Sequence, residues 1–87
     1  MKESAIQKKI TTYLESRGAW TVKVITCNKP GTPDILCCYE GKFYGFEVKT
    51  PTGVVSKLQA FRAKEITKAG GGSYIVRSIS EVQNILS

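Results

Sequence analysis

The pair Glu40-Gly41 stands between two runs of strand-forming residues, 34–39 and 42–49, and reads as a tight turn joining them. This hairpin constrains the chain more than any other local feature. With Glu40 and Gly41 as the two central turn residues, facing positions sum to 81. Tyr39 then faces Lys42, Cys37 faces Tyr44, Ile35 faces Phe46, and Asp34 faces Glu47. Alternation puts Asp34, Leu36 and Cys38 on one face with Phe43, Gly45, Glu47 and Lys49. Ile35, Cys37, Tyr39, Tyr44, Phe46 and Val48 take the other. Both faces carry apolar side chains, so the sheet is expected to be covered on both sides.

The flanking segments supply that cover. Ile6, Ile10, Tyr13 and Leu14 recur at helical spacing and predict a helix from residue 3 to about 17, stopped by Gly18. Trp20 to Ile25 reads as a strand, and residues 26–33 as a loop rich in Pro, Gly and Asn. Pro51 ends pairing near Thr50. Ser56 suits the N-cap of a helix running to about Ala69, with Leu58, Phe61, Glu65, Ile66 and Ala69 along one side. Gly70-Gly71-Gly72 closes that helix, Ser73–Arg77 forms a short strand, and Ser80 with Gln83 makes a capping-box pattern for a last helix burying Val82, Ile85 and Leu86. The order is α-β-β-β-α-β-α in a chain of 87 residues, read as a single domain over 1–87. No apolar run approaches the ~20 residues of a membrane span, and the first residues lack a signal-peptide core, so an intracellular, cytoplasmic location is expected.

The hairpin register carries a chemical implication. Facing carboxylates lie ~4.5–5.5 Å apart at Cβ, where like charges are destabilising. Either Lys49, on the face of Glu47, offsets the repulsion in a plain ion-pair cluster, or a divalent cation does. Oxygen ligands favour a hard ion, Mg²⁺ or Mn²⁺. The pair sits at one end of the sheet, where loops open to solvent and a polymer can approach. The chain has no histidine, which excludes imidazole acid–base chemistry, Ser-His-Asp and Cys-His nucleophiles, and histidine zinc sites. Cys27, Cys37 and Cys38 form no Cys-x-x-Cys and are expected to be small buried hydrophobes in a reducing compartment. Thirteen Lys and Arg against 7 Asp and Glu give a net charge of +6, the footprint of an anionic partner.

Pro33-Asp34 followed by Glu47-Val48-Lys49 across a hairpin resembles the PD-(D/E)XK nuclease superfamily. Glu3 and Gln7 on the first helix, the run Gly31-Thr32-Pro33-Asp34, Phe46-Glu47-Val48-Lys49 and Ser56-Lys57-Leu58-Gln59 are most similar to VRR-Nuc domains, with a likeness spanning Glu3 to about Val76. The resemblance implies an α/β, restriction-endonuclease-like α-β-β-β-α-β core with a mixed sheet flanked by helices, plus a short C-terminal helix. It implies that Asp34, Glu47, Glu3 and the Val48 backbone carbonyl hold Mg²⁺ or Mn²⁺. Lys49 would hold or activate the attacking water and stabilise developing phosphate charge, and Gln59 would orient water or Lys49. Gln7 matches a family glutamine without an assigned role. The product would carry a 5′-phosphate and a 3′-hydroxyl.

Specific DNA interfaces bury ~1,000–2,500 Å² of protein, more than so short a chain offers around one cleft. A homodimer doubles the contact area and presents two sites related by a two-fold axis, suited to a four-way junction or other branched DNA. Lys8, Lys9, Lys29, Lys57, Lys64 and Lys68 are the expected phosphate contacts, with Lys29 and Lys57 flanking the motif loops. The rival readings are a non-catalytic nucleic-acid-binding module on a nuclease-like fold, and an interaction protein whose acidic cluster is an ordinary ion pair.

Overall fold

The computed structural model describes residues 2–87. Its elements are α1 (Glu3–Ser16), β1 (Trp20–Lys23), β2 (Ile35–Tyr39), β3 (Lys42–Val48), α2 (Lys57–Lys68), β4 (Gly72–Val76) and α3 (Ile79–Leu86). Glu40 and Gly41 have φ of 50° and 78°, the left-handed pair that a two-residue hairpin with the right twist requires. The register follows from that turn: Tyr39 pairs with Lys42, Cys37 with Tyr44 and Ile35 with Phe46. β1 extends the hairpin antiparallel to β2. β4 returns parallel to β3 after the α2 crossover, giving a four-stranded mixed sheet in the order β1-β2-β3-β4.

One face of the sheet carries the core. Ile6, Ile10 and Leu14 form a stripe on α1 that packs with Val82 of α3 onto Ile35, Cys37, Phe46, Val48 and Val76. Phe46 is fully buried and stacks on Tyr44 with ring centroids 5.8 Å apart. The opposite face is covered as expected over β3 and β4, and open over β1 and β2. α2 lies over β3 and β4, and leaves Trp20, Cys38 and Phe43 exposed. No α2 side chain is fully buried. Of the expected stripe Leu58, Phe61, Glu65, Ile66 and Ala69, only Ile66 is on the packed side, which it shares with Gln59, Ala60, Arg62 and Ala63; Leu58 is 43% and Phe61 52% exposed. Close approach explains this placement. Gly45 admits Pro33 and Ile66 where a Cβ would lie 2.9 Å from Pro33 Cγ.

The remaining differences are at element ends. β1 stops at Lys23 and not Ile25, β2 starts at Ile35 and not Asp34, β3 stops at Val48 and not Lys49, and β4 spans 72–76 where 73–77 was expected. Single bonds carry the ladders slightly further, Val24 N–H to Asp34 O at 2.8 Å and Lys49 N–H to Val76 O at 3.0 Å. α1 ends at Ser16, with Gly18 at φ 89° beyond it. α3 is capped by Ser78, not Ser80: the Ser78 hydroxyl accepts from the Glu81 N–H at 3.4 Å, and the Glu81 carboxylate accepts from the Arg77 N–H. Cys37 is buried, and burial pushes its thiol up to about 11. Cys27 and Cys38 are exposed, against expectation, because Cys38 points to the open face and Cys27 sits in the 26–33 loop. Among the described residues no helix is long and apolar enough to cross a membrane.

The cap assignment separates two serines. Ser78→Ala should cost about 1 kcal/mol in urea unfolding, and Ser80→Ala less than about half of that. Equal costs would return the cap to Ser80.

Candidate active site

Three carboxylates from three elements converge at one end of the sheet. Glu3 opens α1, Asp34 directly precedes β2, and Glu47 is the penultimate residue of β3. Each offers an oxygen, and these oxygens lie within 4.8 Å of one another. Asp34 is fixed by its own strand pair. Its Oδ2 accepts the Val48 backbone N–H at 2.8 Å, one step past the last β2–β3 rung. The loop before it is also tied down. Arg62 Nε donates to the Pro30 carbonyl at 2.9 Å, and Gly31, at φ 86°, lies so close to α2 that a Cβ would sit 2.7 Å from Leu58 Cγ.

Glu47 is 5% exposed. Its Oε2 accepts from Gln59 Nε2 at 3.1 Å and lies 3.6 Å from Lys49 Nζ. Its Oε1 is buried without a hydrogen-bond partner. Gln59 is held by the α2 capping box: its N–H donates to Ser56 Oγ at 3.1 Å, and its Oε1 accepts the Ser56 N–H at 3.0 Å. The same side chain thus caps a helix and braces a carboxylate. It engages Glu47 through the same oxygen that lies beside Lys49. Gln7, 8% exposed, donates from Nε2 to Glu3 Oε1 at 3.5 Å, and its own Oε1 is also buried without a partner. Beyond Lys49, Arg77 Nη1 donates to the carbonyls of Thr50 and Gly53 and anchors the following loop.

The electrostatics are unfavourable for a metal-free carboxylate cluster. Burial, then the neighbouring Asp34 and Glu3, push the Glu47 carboxyl up to about 8, with Lys49 acting in the opposite sense. The donor set fits a hard divalent cation: three carboxylates, an orphaned Glu47 oxygen, and no thiol or imidazole in the cluster. Bound there, such an ion would offset the repulsion that Lys49 alone leaves in place.

The expected phosphate contacts are more dispersed. Lys8, Lys9, Lys29, Lys57, Lys64 and Lys68 are all exposed. Lys8 lines a groove beside Gln7 together with Lys2 and Lys23, two lysines that sequence reasoning passed over. Lys9 lines a separate depression with Arg77, and Lys29 another with Arg62. Lys57 adjoins the Ser56 cap, while Lys64 and Lys68 lie on later turns of α2. Arg62 and Arg77 were also missed, because their partners are backbone carbonyls distant in the chain. Ser4, Lys8 and Thr11, which recur at helical spacing, were the available signal for the groove.

An acidic trio at the end of a mixed four-stranded sheet, on an α-β-β-β-α-β-α frame, defines the restriction-endonuclease-like fold. More narrowly, the chain has the fold of a VRR-Nuc domain. A solved structure described as "VRR_NUC domain" superposes with a TM-score of 0.82 at 23% identity, covering 97% of this chain and 92% of that one. No family model matches the chain, and no curated protein matches it in sequence.

The raised Glu47 carboxyl sets a pH dependence. Between its ordinary value of 4.5 and about 8, the unfolded chain releases a proton that the folded chain retains. Stability of the metal-free protein should therefore fall as pH rises through that window, by up to about 1.4 kcal/mol per pH unit and less where solvent reaches the cluster. Thermal melts in chelator should show this decline for the wild type and a flatter profile for Glu47→Gln. Parallel profiles would remove Glu47 as its source.

Proposed function

We propose that the chain is a VRR-Nuc-family, Mg²⁺- or Mn²⁺-dependent endodeoxyribonuclease. It hydrolyses phosphodiester bonds in four-way junctions or other branched DNA, acting as a homodimer. The observation that carries this reading is the convergence of Glu3, Asp34 and Glu47, with an unpartnered Glu47 oxygen beside Lys49. A non-catalytic binding module gains nothing from burying a carboxylate against two others.

In this reading Asp34, Glu47, Glu3 and the Val48 carbonyl hold the ion. The ion, when bound, supplies Lewis acidity towards a phosphate oxygen and acidifies water. The chain's own residues do the rest. Asp34 is held by the Val48 N–H and keeps one oxygen for the ion. Gln59 fixes Glu47 through Oε2, so that Oε1 stays turned to the site. Lys49 places a positive charge next to Glu47, where it orients the attacking water and offsets charge building on the phosphate. No histidine is needed at any of these positions.

Two features support a second copy. The chain exposes 5488 Å² in all, so a specific DNA interface of ~1,000–2,500 Å² would take a large share of one copy's surface. The half-open sheet face also exposes Trp20 and Phe43, and the outer side of α2 exposes Phe61. A two-fold pair then matches a two-fold junction.

Incubation with duplex, flap, nicked, forked and four-way-junction DNA in Mg²⁺ or Mn²⁺ tests the reading. Branched substrates should be cut in preference to duplex. Asp34→Ala and Lys49→Ala should each lower the rate by at least ~100-fold, and Gln59→Ala by ~10–100-fold through loss of Glu47 bracing. Light scattering should give a dimer. Cleavage by both Asp34→Ala and Lys49→Ala at the wild-type rate would place the chemistry elsewhere.

A further inference from the structure

Outside the acidic trio, a groove of about 520 Å³ lined by three lysines runs along the N-terminal half of α1. Lys2, Ser4, Gln7, Lys8, Thr11 and Lys23 line it, with Lys23 supplied by the end of β1. No carboxylate lines it. Among the described residues, ion pairs involve only Lys49 with Glu47 and Arg62 with Glu65, so Lys2, Lys8 and Lys23 are uncompensated. Three like charges around one concavity repel each other unless an anion joins them.

The groove is not separate from the acidic trio. Gln7 forms part of its wall and donates to Glu3. Ser4 follows Glu3 directly and lines the same groove. The cation-lined surface therefore begins where the carboxylates end.

We infer that this groove is a phosphodiester track, in which Lys2, Lys8 and Lys23 receive the phosphates flanking the bond held at the trio. The inference rests on the nucleic-acid substrate proposed above and assigns a path to it. Neighbouring nucleotides are spaced ~3.4 Å apart along a strand, so a polymer with one phosphate at Glu3 must lay others on the adjoining surface. Ammonium groups on flexible stems bind such phosphates as point charges, without reading bases. The track thus supplies affinity and orientation for any strand that reaches the trio.

Anisotropy of a labelled four-way junction, in Ca²⁺ across a salt series, tests the assignment. Each lysine that neutralises a phosphate contributes ~0.9 to the salt slope, so Lys8→Gln/Lys23→Gln should flatten it by about 1.8. Lys42→Gln, at the turn end of β3, should leave the slope at the wild-type value. Calorimetric Mn²⁺ affinity of the double variant should equal that of the wild type, since the trio is intact. A wild-type slope in the double variant, with binding and cleavage retained, overturns the track and leaves the nuclease reading standing. A wild type that neither binds nor cuts any nucleic acid overturns both.

Discussion

The hydrogen bond from the Val48 N–H to Asp34 Oδ2, 2.8 Å long, is the contact on which the site depends. It falls where the β2–β3 ladder runs out, so a side-chain oxygen takes the place that a backbone carbonyl would fill in a longer strand pair. That substitution pins Asp34 beside Glu47. β3 is paired on both edges, antiparallel to β2 and parallel to β4, so Glu47 cannot move aside without breaking a ladder. α1 completes the arrangement, because the stripe Ile6, Ile10 and Leu14 that docks it on the core also delivers its first residue, Glu3, to the same spot.

What results is a site under electrostatic strain. A buried carboxylate beside two others is disfavoured by desolvation and by repulsion, and Glu47 carries both. Gln59 and Lys49 relieve part of this through Oε2, while Oε1 is left without a partner. A domain selected only for stability gains more from an apolar residue at that position. The supporting contacts are oriented towards keeping the oxygens in place. The capping box fixes Gln59, Arg62 holds the loop before Asp34, and Arg77 holds the loop after Lys49.

The parts of this that were legible in the sequence are those governed by local chemistry. The Glu40-Gly41 turn sets register by itself, and register alone brings Asp34 opposite Glu47. Ser56 announces the start of α2 as its N-cap, and the structure adds the reciprocal bond from Gln59. Where tertiary packing decides, the reading failed. The outward turn of Leu58 and Phe61 follows from the close approach of Pro33 and Ile66 at Gly45, which no helical periodicity records. Cys38 is exposed because α2 stops short of β1 and β2, a matter of helix placement. The α3 cap is a different kind of miss: Ser78 and Glu81 make a local Ser-x-x-Glu pattern that was passed over for Ser80 and Gln83. Lys23 and Lys8 are distant in sequence and meet only through the docking of α1 on β1.

If Glu3, Asp34 and Glu47 hold one divalent cation, its binding relieves the strain on Glu47. Calorimetric titration of Mn²⁺ into the wild-type protein at pH 7, in two buffers of different ionisation enthalpy, tests it most directly. Binding should be saturable and release protons, because Glu47 must ionise to act as a ligand, and it should be lost in Asp34→Asn. Absence of Mn²⁺ binding by a folded wild type, or equal binding by Asp34→Asn, would contradict it.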